Sequence, residues 1–192
     1  MKKDRFVAFF DAIMAIIMTI AVLQFTQPAG TRWQDMDQLF FQILVYMLSF
    51  FWLGMMWITI HNLWHDADQI SHGVIWVNLF TLFFSSMIPF LIVFVGLHFN
   101  DKAPQFLYGI DMICITLCNQ LSVELLLKGN PQLADLVKAY RRACMMDICV
   151  KIPGIVIGMT VFPPAMMISV FIALIMLIIN HYLMKKRTDK KD

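Results

Sequence analysis

Arg5-Phe6-Val7-Ala8-Phe9-Phe10-Asp11-Ala12-Ile13-Met14-Ala15-Ile16-Ile17-Met18-Thr19-Ile20-Ala21-Val22-Leu23 is an apolar stretch in which only Arg5 and Asp11 carry charge. A helix that crosses a bilayer needs roughly 20 predominantly apolar residues, and the run from Phe6 to Phe25 supplies them. The basic start, Met1-Lys2-Lys3-Asp4-Arg5, resembles the head of a secretory leader. Asp11 interrupts the apolar region such a leader requires, however, and no small-x-small cleavage site follows cleanly. The stretch therefore reads as a helix that stays in the membrane.

The rest of the chain repeats this character. Of 192 residues, 60% are hydrophobic and 15% are charged, against roughly 45–50% apolar in an ordinary soluble domain. Mean hydropathy is +0.72. Further runs of spanning length cover 39–60, 74–99, 106–127, 143–162 and 165–184. Pro28 and Gly30 close the first run, a His- and Asp-rich stretch from His61 to His72 the second, and Asn100, Asp101 and Pro104 the third. Gly129-Asn130-Pro131 ends the fourth, and Phe162-Pro163-Pro164 separates the last two. Pro89 and Pro153-Gly154 fall inside runs and predict kinks. The expected architecture is all-α, one domain over 1–192, with six transmembrane helices. Asp147 and Lys151 are four apart in the fifth run and predict a pair near the interface. Between runs four and five, Leu133, Leu136, Val137 and Tyr140 fit one side of an amphipathic surface helix.

Orientation follows from the short loops, since Lys and Arg stay on the cytoplasmic side. With the amino terminus inside, Lys2, Lys3, Arg5, Lys128, Lys138, Arg141, Arg142, Lys185, Lys186, Arg187, Lys190 and Lys191 lie inside, while Arg32 and Lys102 lie outside. An even number of spans with both termini cytoplasmic, in the cell membrane, satisfies this asymmetry.

At about 100° per residue, Ile16, Ile20 and Leu23 share one stripe of the first helix, and Asp11 points roughly 140° away from it. One face is thus a ladder of branched apolar side chains; the other is polar, with Arg5 and Asp11 near the inner surface. Packing or lipid contact is the ordinary explanation for such a ladder. Arg5 serves equally as a positive-inside anchor, and Asp11 as an acid near a helix start. A charge at membrane depth is costly, so Asp11 calls for a partner inside the bundle.

Against this background the sequence resembles a known family. Arg5-x-x-x-Phe9-Phe10-Asp11, followed by Ala12 to Leu23, looks like the Arg-x-x-x-Phe-Ser-Asp signature and first helix of the lysosomal potassium channel transmembrane protein 175 and its bacterial homologues. Trp57-x-x-x-His61, Trp76-Val77-Asn78-Leu79 and Pro89-Phe90 are similar to that family's second and third helices. The resemblance implies a homotetramer of six-helix subunits, a pore lined by four copies of helix one, and potassium as the permeant ion without any cofactor. It implies that Ile16 forms the narrowest apolar ring, with Ile20 and Leu23 as further rings. Arg5 and Asp11 would hold helix one through hydrogen bonds with His61 and Asn78. Phe10 stands where the family has Ser, which removes a hydroxyl and adds a ring. No Thr-Val-Gly-Tyr-Gly carbonyl filter occurs.

The remaining constellations point to other classes less firmly. His61, His65 and Asp68 have a spacing that permits a metal site, which would make this an intramembrane metal-binding protein. The same histidines as proton acceptors would make conductance depend on pH. A secondary transporter is a further alternative, but transporters usually show repeats and broken helices in both halves, and no repeat is visible. Asp111 and Glu124 read as solvated ends of the fourth run. The four cysteines, Cys114, Cys118, Cys144 and Cys149, read as packing residues, and the five tryptophans mostly as an interfacial belt. No phosphate loop, nucleophile elbow or catalytic carboxylate pair points to an enzyme. The lipid bilayer and further copies of the chain are the expected partners, and nucleic acid is not.

Overall fold

The computed structural model describes residues 3–188; Lys2, Lys190 and Lys191 lie outside them, as do the side chains of Lys185, Lys186 and Arg187. All regular structure among the described residues is helical: α1 (Lys3–Leu23), α2 (Asp37–His65), α3 (His72–Ser85), α4 (Ile88–Leu97), α5 (Lys102–Gly129), α6 (Ala134–Thr160) and α7 (Ala165–Thr188). Short 3-10 turns, Trp33–Met36 and Pro131–Leu133, lead into α2 and α6. Five segments are long and apolar enough to cross a membrane, one of them α3 and α4 together; α7 contributes a shorter apolar stretch, Ala165–Asn180. The six expected runs thus appear as six rods.

Their ends differ from expectation for physical reasons. Pro89, expected to kink its helix, instead accompanies a break at Ser86 and Met87, and it sits in the first turn of α4. Proline has no N–H, and its ring clashes with the carbonyl four residues back, so the chain closes one helix and starts another. Pro153, by contrast, is carried inside an unbroken α6. α2 runs on through His61 to His65, because polar side chains stop the lipid contact without stopping the helix. The stretch expected as a separate surface helix is the first part of α6, with Leu133, Val137 and Tyr140 buried.

Between membrane helices the lipid competes with apolar packing, so close approach and hydrogen bonds hold the bundle. Gly96 of α4 lies against Gln42 of α2: a Cβ there would come within 2.8 Å of the Gln42 backbone nitrogen. Gln42 in turn ties the loop after α1, through Thr26 N–H (3.0 Å) and Thr26 Oγ1 (2.9 Å). Helix α5 is the spine. Its buried polar row reaches α2 through Tyr108 and Ser49 (2.7 Å), α6 through Thr116, and α3 through Asn119 and Ser122. Asn130 at its end accepts from the backbone N–H groups of Asp68 and Gln69 (2.8 and 3.1 Å) and so staples the turn between α2 and α3.

Two acids expected at solvated ends behave differently. Asp111 is buried in α5. Glu124 accepts a two-pronged bond from Arg141 of α6 (2.6 and 2.7 Å). Trp52 and Trp64 are buried in the bundle rather than set in a belt.

Asp147 and Lys151 are the largest departure. They pair as expected, at 2.8 Å, yet both are buried and Asp147 lies midway along α6. The carboxylate also accepts from Trp52 Nε1 of α2 (3.2 Å) and Thr116 Oγ1 of α5 (2.7 Å), while the Lys151 ammonium sits 3.8 Å from the Trp52 ring centroid. Three helices therefore meet at one charge. Asp147→Asn leaves the buried ammonium without its counter-charge and is expected to cost about 3–5 kcal/mol, whereas Asp147→Leu combined with Lys151→Met recovers most of that loss. Thermal unfolding of the purified protein checks this; equal losses in both variants would rule out charge balance as the cause.

Candidate functional site

Helix α1 has two faces. Phe6, Phe10, Met14, Ile17 and Ala21, spaced by three or four residues, are buried against the neighbouring α2, α3 and α4. Ile16, Ile20 and Leu23 retain 59%, 40% and 80% of their surface, so nothing within one subunit covers them. Phe9 also stays exposed, and it lies seven residues before Ile16, on the same face at about 100° per residue. Thr19 adds little polarity to that side: its hydroxyl donates back to Ala15 O (2.8 Å). The outward face is therefore an apolar ladder.

Asp11 turns the other way. Its Oδ1 accepts a hydrogen bond from Trp57 Nε1 at 2.7 Å. His61 Nδ1 lies 3.4 Å from Oδ2, near enough for charge attraction when the ring is protonated, although no hydrogen bond closes there. Trp57 and His61 are one turn apart on α2, with ring centroids 5.2 Å apart. His61 thus lies beside Asp11 without the expected hydrogen bond, and Trp57 is the hydrogen-bond partner of Asp11. Its signal in the sequence was the one-turn spacing Trp57-x-x-x-His61, whose indole offers the only N–H of that pair that needs no particular tautomer.

Arg5 and Asn78 do not join them. Arg5 is exposed and makes no hydrogen bond or ion pair among the described residues. Lys3 takes the anchoring role instead: its ammonium donates to Ala67 O (2.5 Å) and His65 O (3.2 Å) where α2 ends. Unpaired carbonyls at a helix end favour a cation. Asn78 is fully buried and donates to Ser122 Oγ (2.6 Å) and Val74 O (2.8 Å), which ties α3 to α5. Its place on the far side of α3 follows from packing and has no mark in the sequence.

Phe10 is resolved by its surroundings. The ring is fully buried and meets Trp64 edge-on, with centroids 4.8 Å apart, while Phe6 meets the same indole at 5.2 Å. It packs into α2 and leaves Asp11 its own partners. The metal reading of His61, His65 and Asp68 does not hold: no group of three His, Cys, Asp or Glu side chains converges among the described residues. His65 pairs with Asp66 (3.2 Å), and Asp68 accepts from Gln132 (2.9 Å).

Restoring a hydroxyl at position 10 tests this packing. Phe10→Ser removes a buried ring and is expected to destabilise by about 3–5 kcal/mol, as for other large core truncations. A variant as stable as the parent, measured by thermal unfolding, would show that the ring is not a core element.

Comparison with known proteins gives three findings. The family described as the endosomal/lysosomal potassium channel TMEM175 matches residues 5–89. A potassium channel from Chryseobacterium sp. (strain P1-3) is 33% identical over 113 residues, 59% of each chain, and one from Streptomyces collinus is 23% identical over 127 residues, 62% of each. The chain thus spans about three fifths of the length of the curated relatives it matches. Its fold is similar, with a TM-score of 0.67 at 15% identity, to the crystal structure of a lysosomal potassium-selective channel TMEM175 homolog from Chamaesiphon minutus, over 96% of this chain and 97% of that one. With the family model matched over residues 5–89 and that fold from end to end, the chain has the fold of a multi-pass membrane protein and is similar in its amino-terminal part to the TMEM175 family.

Proposed function

We propose that the chain forms a potassium-permeable cation channel in the cell membrane, with both termini cytoplasmic. Four copies of α1 surround its axis in a homotetramer, and Ile16, Ile20 and Leu23 form stacked apolar rings that narrow the pore without a carbonyl filter. The observation that carries this reading is the bare ladder on α1. Among the five spans α1 is the least buried, at 28% of its most apolar window, yet it lies within the stretch that matches the family. A helix left uncovered on an apolar face suits a position where other copies complete the structure. The relatives named potassium channels support the choice of ion.

Physically, such rings act by dewetting. A narrow passage with no hydrogen-bonding wall holds water poorly, and an ion cannot shed its hydration there without replacement ligands. Asp11, bound to Trp57, and Lys3, bound at the end of α2, set the rotation of α1 so that its polar side stays off the axis. A third tie, from the Tyr46 hydroxyl of α2 to the Met18 carbonyl (3.3 Å), holds the helix nearer its other end.

Potassium flux into liposomes tests the proposal. Ile16→Asn is expected to raise flux by about tenfold, the change produced by lowering a barrier by about 1.4 kcal/mol. Cysteine placed at Leu23 should cross-link subunits to one another. Absence of potassium flux in both the parent and the Ile16 variant would defeat the channel reading, and saturable, gradient-coupled flux would point to a transporter instead.

A further inference from the structure

A cavity of about 40 Å³ lies inside the subunit against Asp147, between α2, α5, α6 and α7. No residue of α1 lines it, so it is separate from the proposed pore. Trp52, Thr116 and Asp147 form its deep end, midway along their helices. Thr59, Tyr140 and Asn180 also line it, and they lie towards the end of the bundle where α1 begins and α7 ends. The cavity therefore extends from mid-depth towards the side that bears both termini.

We propose that this cavity is a water site, holding two or three ordered waters in each subunit that complete the solvation of the Asp147–Lys151 pair. Size decides the ligand. One water needs on the order of 10–15 Å³ by this measure, so the space admits roughly three and excludes larger molecules. The walls decide that it is wet. A carboxylate offers about four acceptor positions; Trp52, Thr116 and Lys151 take three of those of Asp147. The Asn119 side chain accepts from Thr81, while its two N–H donors have no acceptor among the described residues. Threonine hydroxyls at 59 and 116 donate within the protein and keep lone pairs for water. A cavity with two to four such partners per water is occupied, whereas an apolar one of equal size stays dry. A pair of charges at mid-membrane is expensive to bury bare, and these waters reduce that cost without opening a path to the pore.

Pulsed X-ray radiolysis of the intact protein in lipid nanodiscs tests this, because radicals form from water in place and oxidise adjacent side chains. Trp52 and Met56 line the cavity and are almost fully buried. Met56 is expected to oxidise at least about fivefold faster than Met14 and Met166, which are also buried and do not line it. Equal rates would overturn the proposal. Ala143→Leu puts a side chain into the cavity from its wall and should bring Met56 down to the rate of Met14. Unchanged oxidation in that folded variant would also overturn it, and the parent comparison stands alone if the variant fails to fold.

Discussion

A single carboxylate at the middle of α6 holds the bundle in register. Asp147 joins α2 through Trp52 and α5 through Thr116, and it neutralises Lys151 on its own helix. In water such a joint would be one contact among many. In lipid, apolar side chains gain little by leaving the tails for one another, so directional bonds and close backbone approach decide which helices meet. The polar row of α5, continuing through Asn119 and Ser122 to α3, extends the same logic along the bundle. Gly96 against Gln42, and Gly154 against Ser169, do by proximity what the polar row does by hydrogen bonding.

That internal framework leaves α1 comparatively lightly held. Its buried face uses aromatic rings, with Phe6 and Phe10 clasping Trp64, and its polar ties among the described residues are three: at Lys3, at Asp11 and at the Met18 carbonyl, which accepts from Tyr46. The opposite face stays apolar and uncovered. Five rods set against one helix that keeps an apolar face bare is the arrangement that the proposed pore requires. Phe10 fits this division: its ring is buried against Trp64 of α2, on the side of α1 away from the apolar ladder.

Much of this was legible before any coordinates. Hydropathy placed six rods because a bilayer demands long apolar runs. The stripe of Ile16, Ile20 and Leu23 and the opposed Asp11 followed from helical periodicity, which depends on spacing within one element. Errors arose where partners had to be chosen across elements. Lys3 and Arg5 are two residues apart and chemically alike, and only the position of the α2 carbonyls favours Lys3. Asn78 and Ser122 found each other through the way α3 lies on α5. Asp147 and Lys151 were recognised as a pair but assigned to the interface, because nothing local records that Trp52 and Thr116 wait for them at mid-depth.

The sequence by itself determined the helical class, the number of rods and the two faces of α1, since each rests on a local rule: backbone groups must be satisfied in lipid, and a helix repeats every 3.6 residues. The tertiary structure alone decided which cation anchors α1, which indole holds Asp11, and where the buried charge pair sits. Those depend on distances between helices, and such distances are set by packing of the whole bundle rather than by any segment of it.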